Sequence, residues 1–288
     1  MHTQNLNSLK TKNILLTGGT GFVGRQVLKR LLNEKVNIRT IVRKKSIKKL
    51  PASKKIVPIL TKNLFKENIE WWRNHLSGIN IIIHLAWNVD PREYRSSQAN
   101  IECLLGSLNI ITAIIKTKVN RFISVGTCLE YAKSNQPLST QSPLKASCPY
   151  SFCKISLFYI SLKILTLYHK EFAWCRLFHL YGKGEKLQRL TPQIKYFAKR
   201  KKNFFLKNKF SKFDFMDVAD AADKIVKISL GQQTGVFNIC SGKASSVYKY
   251  AKKVASYYDA EDIIKTKKQK RKKTAIYART IIGIPSAI

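Results

Sequence analysis

Acidic residues are scarce in this chain: 16 Asp and Glu stand against 53 Lys and Arg in 288 residues, a formal net charge of +37. Such a surplus invites a nucleic-acid reading, but that surface usually gathers its charge into a stripe and uses arginine to grip phosphates bidentately. Here 40 lysines and 13 arginines are spread over nearly every segment. The one dense block, KTKKQKRKK from Lys265 to Lys273, reads as a solvated tail. Nucleic acid is therefore not expected as the primary partner. Long apolar runs are also missing. The best, INIIIHLAW, has nine residues, about half of a membrane span, so no span is expected. The start, MHTQNLNSLKTKN, lacks a basic region followed by an apolar core, and no secretory signal is read there. The cysteines at 103, 128, 148, 153, 175 and 240 form no C-x-x-C pair. That argues against a metal site or a disulfide framework and for a reducing cytoplasm. There are no internal repeats.

What is present is a globular composition, 44% hydrophobic, with a regular rhythm. Strand-like runs (NILLTGG, NIRTIVR, INIIIHLAW, RFISVGT, FAWCRLFHL) alternate with helical ones (GRQVLKRLLNE, WWRNHLSG, IECLLGSLNIITAIIKTK and the segment after Cys148). Short apolar strands separated by helices predict an α/β fold, a Rossmann-like doubly wound parallel sheet. The rhythm breaks after Tyr181-Gly182. A basic helix (QIKYFAKRKK), a helix opening near Asp217 and a strand GVFNICSG follow. The division expected is a dinucleotide-binding domain over 1–180 and a smaller C-terminal substrate domain over 181–288.

The first strand runs into TGGTGFVG, with Gly18, Gly21 and Gly24 in G-x-x-G-x-x-G spacing. A strand that turns sharply into a helix whose N-terminus carries a phosphate needs glycines for the bend and for close backbone approach. The strand before and the amphipathic helix after supply the confirming context. Gly18, Thr20, Gly21, Phe22, Val23 and Gly24 are the expected dinucleotide cradle. The second strand ends IVRKK, with no acid to accept from a ribose 2′-hydroxyl. Arg43 could bind a 2′-phosphate instead, so NADP is expected, with NAD possible. Further on, CPYSFCK sets Tyr150 four residues ahead of Lys154, on one face of a helix. From spacing alone Tyr150 is either a core aromatic or a proton donor.

Taken together, TGGTGFVG, KNLF, HLAW, SVGTCLEY, YSFCK, RLFHLYGKGE, DFMDVADAA and FNICSG, in that order over roughly residues 12 to 245, resemble the extended short-chain dehydrogenase/reductase family, the NAD-dependent epimerases and dehydratases of nucleotide sugars. HLAW, GTCLEY and RLFHLYGKGE are most similar to its 4-ketoreductases, the CDP-abequose synthase and dTDP-6-deoxytalose 4-dehydrogenase types. The resemblance implies that Tyr150 is the acid/base, that Lys154 binds the nicotinamide ribose and lowers the phenol's pKa, and that Thr127 hydrogen-bonds the carbonyl oxygen. It sets Asn63 and Leu64 against adenine, with Asn in place of the family's usual Asp, and Leu85 and Ala86 beneath the cofactor. Phe178 would line the nicotinamide pocket. His179 and Arg189 would join Thr127 as substrate contacts. His84 would pack or hydrogen-bond rather than catalyse.

Departures narrow the reaction. Cys128 and Leu129 replace the acidic pair with which the family's dehydratases expel water, so dehydration is not expected. Cys103 takes the place of a helical asparagine, with Asn100 one turn earlier. After about residue 262 the family's pocket-closing residues give way to KTKKQKRKKTAIYARTIIGIPSAI, which reads as a truncated or altered end. The expected activity is NADP-dependent reduction of the C4 ketone of a nucleotide-linked 6-deoxyhexose, in deoxysugar or surface polysaccharide synthesis. The alternatives are a C4 epimerase that retains its cofactor and a non-catalytic dinucleotide-binding product. Family members often dimerise through the two helices after the fourth and fifth strands, and the apolar stretches here suit a homodimer.

Overall fold

The computed structural model describes residues 11–206, 209–266 and 280–288. In the first half come β1 (Lys12–Thr17), α1 (Phe22–Leu31), β2 (Val36–Val42), β3 (Ile56–Leu60), α2 (Ile69–His75), β4 (Ile81–His84), α3 (Ala99–Ile115), β5 (Arg121–Thr127), α4 (Pro149–Leu167) and β6 (Glu171–Leu177), alternating as the rhythm predicts except that β3, which the sequence reading lacks, follows β2 without an α-helix between. Then come β7 (His179–Tyr181), α5 (Leu190–Ala198), β8 (Phe204–Leu206), β9 (Lys212–Asp217), α6 (Val218–Leu230), β10 (Gly235–Ile239), β11 (Ala244–Ser246), α7 (Val247–Ser256), β12 (Ile264–Thr266) and β13 (Thr280–Ile281).

The main sheet has seven parallel strands in the order β10-β6-β5-β4-β1-β2-β3. It is Rossmann-like and doubly wound. Strand alternation builds one core on each face. Ile14, Leu16, Ile81, Ile83, Ala173 and Cys175 pack with α1 and α6. Leu15, Ile82, Phe122, Phe172 and Trp174 pack with α2, α3 and α4. Strand order reverses at β1, with β2 and β3 added on one side and β4, β5 and β6 on the other, which makes a crevice beyond the C-terminal ends of β1 and β4 where such sheets take ligands.

Local chemistry sets the helix starts. Asn68 accepts from Trp71 N at 2.8 Å, Asp217 from Ala219 N at 2.7 Å and Ser246 from Lys249 N at 3.1 Å, each satisfying an orphan donor of the first turn. Pro149 opens α4, where its missing N–H costs nothing. By length and composition α4 could cross a membrane. Its apolarity has a nearer use, because Leu157, Phe158 and Leu165 are buried against β5 and β6.

Beyond residue 181 the chain serves two places. α5, β8, α7 and β12 close a smaller core around Ile194, Val247, Ala251 and Ile263. α6 instead lies on α1, and β10 completes the main sheet beside β6. The amphipathic face of α6 (Val218, Ala221, Ala222, Ile225) needs an apolar partner, and β6 offers an open edge. A cut at residue 181 follows the sequence rhythm, but α6 and β10 cross it. A second sheet centres on β9, which pairs antiparallel with β11 and parallel with β7 and β13. Of the basic block, Lys265 and Thr266 belong to β12, and residues 267–273 lie outside the described residues.

Candidate functional site

The glycine turn is a cradle by geometry. Gly18 has φ +74°, a conformation that favours glycine. A Cβ there would lie 2.8 Å from Ala86 N and 2.9 Å from Leu85 C. The end of β1 therefore touches the segment after β4, which brings Gly18, Leu85 and Ala86 together. A Cβ on Gly24 would lie 2.0 Å from the Gly18 carbonyl oxygen, so glycine there lets α1 pack directly on the turn. α1 starts after Gly21 with no side-chain cap and no acid in its first turn, and Lys29 and Arg30 stand in its last. Its first-turn N–H groups and positive dipole end are left for an anion. These residues fit the diphosphate of a dinucleotide. Arg43 is exposed where β2 ends.

Asn63 and Leu64 start a single turn after β3, and Asn63 is used locally. Its side-chain oxygen accepts from Phe65 N at 3.1 Å, and its amide donates to Glu102 at 2.6 Å. Leu64 packs against the α2–α4 core.

Thr127, Tyr150 and Lys154 meet at the C-terminal edge of the sheet, all buried. Thr127 ends β5, and its hydroxyl accepts from Leu129 N at 3.3 Å. Lys154 donates to the Val125 carbonyl at 2.9 Å. The Tyr150 phenol is pushed above its ordinary range, first by burial and then by Tyr94, Glu130 and Cys128, while the Thr127 hydroxyl works the other way. The resemblance implied a phenol lowered by Lys154. Here burial outweighs any such help, and Lys154 is itself pulled down to about 7 by burial.

His84 is structural, as expected. It meets Thr17 Oγ1 at 2.8 Å and Ser107 Oγ at 3.0 Å, and burial pushes it down to about 3. Phe178 packs beside Tyr150, Cys128, Cys240 and Ile281. His179 stacks on Phe213 at 4.2 Å between ring centres, and Phe213 packs against the same cluster. Arg189 lies 5.4 Å from the centre of the Tyr94 ring, and Tyr94 meets Tyr150 edge-on at 5.0 Å. Arg189 thus reaches the site through Tyr94, beside a half-buried Glu185 that burial raises to about 7.

The family model described as the NAD dependent epimerase/dehydratase family matches residues 14–240. The chain belongs to that family. Its members are NAD(P)-dependent enzymes, and the fold and site described above suit one. The chain is 22% identical over 237 residues to a dTDP-6-deoxy-L-talose 4-dehydrogenase (NAD(+)) from Aggregatibacter actinomycetemcomitans, covering 82% of this chain and 86% of that protein. Its backbone resembles a UDP-glucose 4-epimerase from Thermotoga maritima solved with UDP-glucose, with TM-score 0.81 at 18% identity over 95% of this chain and 90% of that one. It also resembles a dTDP-glucose 4,6-dehydratase from Bacillus anthracis in complex with NAD, with TM-score 0.80 at 16% identity over 96% and 88%.

Several residues around the site had no role read from the sequence, although Trp87, Glu130, Tyr131 and Arg176 lie within HLAW, SVGTCLEY and RLFHLYGKGE. Glu130 is fully buried and accepts from Thr127 N at 2.7 Å, Trp174 Nε1 at 3.0 Å and Arg176 Nε at 2.7 Å. Arg176 also donates to the Tyr131 hydroxyl at 3.0 Å, which donates to Asn238 at 2.6 Å. Asn238 in turn donates to the Leu138 and Ile284 carbonyls. The unusual final stretch is thus tied to the site: β13 brings Ile281 into the cluster holding Tyr150 and Phe178. Asn100, one turn before Cys103, accepts from Trp87 Nε1 at 2.8 Å and donates to the Tyr94 and Ser97 carbonyls. Cys103 accepts from Asn88 N at 3.3 Å. On the far side, Arg25 and Gln26 of α1 donate to the Gly184 and Lys183 carbonyls, so the loop after β7 rests on the cofactor helix.

Proposed function

We propose that this chain reduces the C4 ketone of a nucleotide-linked 6-deoxyhexose with NADPH. The observation that carries the reading is the convergence of Thr127, Tyr150 and Lys154 beside the Gly18–Gly24 cradle. When bound, the nicotinamide supplies the hydride to C4. Tyr150 delivers a proton to the oxygen, where negative charge would otherwise build. A phenol held protonated by its surroundings suits that direction. Thr127 holds the same oxygen, and Lys154 orients the ribose. Gly18, Thr20, Gly21, Phe22, Val23 and Gly24 receive the diphosphate, and Arg43 the 2′-phosphate. Leu64 faces adenine, with Asn63 fixing the turn. Leu85, Ala86 and Phe178 wall the cofactor. Arg189 serves the nucleotide's diphosphate and His179 the sugar side.

The apolar company of Tyr150 (Cys128, Leu129, Phe178 and Ile281) suits a methyl at C6, and the acid that acts on Tyr150, Glu130, is held by Thr127 N, Trp174 and Arg176 rather than free to drive dehydration. Six free cysteine thiols fit a reducing compartment such as the cytoplasm. Ile101 and Leu105 on α3, with Phe152 and Tyr159 on α4, are large exposed apolar groups, and they fit a homodimer built on these two helices.

The test is a fluorescence titration with NADPH and NADH, followed by assay of 4-keto-6-deoxyhexose nucleotides. NADPH should bind the more tightly, and Arg43→Ala should weaken it about tenfold or more while leaving NADH little changed. Consumption of one NADPH per product supports the reductase. Interconversion of C4 isomers without consumption would establish the epimerase, and binding of neither cofactor would remove both readings.

A further inference from the structure

Lys154 is a buried ammonium without a carboxylate of its own. It is 2% exposed, and among the described residues no acid pairs with it. Glu130, whose charge acts on Lys154, already accepts from Arg176, Trp174 and Thr127 N. A desolvated charge needs compensation, and here two groups give it. One is the Val125 carbonyl at 2.9 Å. The other is Trp87, whose ring centre lies 3.7 Å from the ammonium nitrogen. An indole face attracts a cation, and more strongly once water is excluded.

The indole is held for the contact. Its Nε1 donates to Asn100 at 2.8 Å, and the Asn100 amide is fixed by the Tyr94 and Ser97 carbonyls. Its ring meets Tyr150 edge-on at 6.3 Å and Phe65 at 6.4 Å. One tryptophan thus touches both residues on which the proposed chemistry depends.

We propose that Trp87 is a positioning residue for Lys154: its face keeps the ammonium charged and fixed beside Tyr150, and Asn100 locks the indole for that role. The inference rests on the reading of Tyr150 and Lys154 as the reaction centre. The other groups facing Lys154 come from every neighbouring element. They are His84 on β4, Cys103 on α3, Glu130 after β5, and Cys153 and Tyr150 on α4. His84 is held neutral and Cys103 is pushed up to about 11 by burial. With Lys154 pulled down to about 7, neutral pH lies on its titration. Loss of the indole face should then move that titration to lower pH by about 0.5 to 1.5 units.

The test needs no turnover at first. Tryptophan emission of the full chain, followed from pH 5.5 to 9.5, should show a transition near pH 7 as the ammonium against Trp87 discharges. Trp87→Phe should lose the part of the amplitude that belongs to Lys154, the remainder coming from Trp174, whose ring lies 5.9 Å from the same nitrogen, and from Trp71, which stacks on the His75 ring at 4.0 Å and is subtracted with a His75→Gln control. In the His75→Gln background, Lys154→Met should abolish it, and Asn100→Ala should diminish it, with circular dichroism reporting that each variant is folded. If Lys154→Met fails to fold, Trp87→Phe and Asn100→Ala carry the test alone. A flat emission profile in the parent chain, or an unchanged transition in Trp87→Phe, overturns the proposal. In turnover, Trp87→Leu should shift the high-pH fall in kcat to lower pH. A change in KM with an unmoved profile would make Trp87 a mere wall and would also overturn it. An intact emission transition in a protein that turns over no nucleotide sugar would leave the Trp87–Lys154 pairing standing and remove the enzymatic reading instead.

Discussion

The proton on His84 can be placed by counting donors. The Ser107 hydroxyl donates to the Cys103 carbonyl at 2.6 Å, so toward His84 it accepts, and Nε2 must carry the hydrogen. Nδ1 then accepts from Thr17, whose oxygen accepts in turn from Ala86 N at 3.3 Å. The neutral ring ties β1, β4 and α3 together behind the cofactor turn. Its folded pKa of about 3 lies below the usual 6.5, so the unfolded chain takes up the proton first. The stabilising contribution is complete above about pH 6.5 and is lost as pH falls toward 3, by at most about 1.4 kcal/mol per pH unit. Urea midpoints between pH 7 and 4 should fall accordingly, and His84→Gln should flatten that slope. Tyr150→Phe tests the neighbouring chemistry. Turnover should drop by roughly 10²–10⁴, while NADPH affinity stays within about twofold. Equal activity in that variant would return Tyr150 to the status of a core aromatic.

Among the elements, those with strong periodicity were legible and those defined by partners were not. β1, β4, β5 and β6 read as strands because both faces are buried over most of their length and each carries a short continuous apolar stretch. β3 went unread: Pro58 sits inside it and charged or polar groups flank it, as an edge strand permits and a central one does not. β7, β8, β11, β12 and β13, of two or three residues each, exist only through their pairings. α7 is short and lysine-rich, with a narrow apolar face. In the site, Gly18, Gly24, Thr127, Tyr150 and Lys154 were legible because each belongs to a local motif. Trp87, Tyr94, Glu130 and Arg176 act through contacts between distant segments, and no spacing announces them. The raised Tyr150 phenol was invisible for the same reason, since burial is a property of the whole fold. The glycine turn gives the prediction at this scale. Gly24→Ala puts a methyl against the Gly18 carbonyl, and such overpacking costs about 1–3 kcal/mol. Thermal unfolding should drop by about 5–10 °C, with loss of NADPH binding in the fluorescence titration. A variant that keeps both would show that α1 can shift without damage.

For the molecule as a whole, charge and exposed apolar surface make opposite demands. A net charge of +37 repels itself, and salt shortens the range of that repulsion from about 10 Å at 0.1 M to about 3 Å at 1 M. Raising the salt should therefore raise the unfolding temperature, as scanning calorimetry would show. A fall would mean that specific ion pairs outweigh the repulsion. The homodimer is tested by sedimentation. Leu105→Glu together with Phe152→Glu, two sites exposed by 58% and 63% in the isolated chain, should convert a dimer to a monomer with the fold intact.

The edge position of β10 has a consequence for how the protein is made. β6 ends at residue 177, yet its outer neighbour begins at residue 235. Everything in between, including α5 and β8 of the smaller core, β9 and α6, must leave the ribosome before the sheet gains its last strand. Until then β6 presents an unpaired edge, and the α1 face that α6 will cover stands open. The nascent chain passes through a stage in which its cofactor half is nearly built and still adhesive. A chaperone that shields that edge during synthesis would act at the time when this protein is most exposed to misassembly.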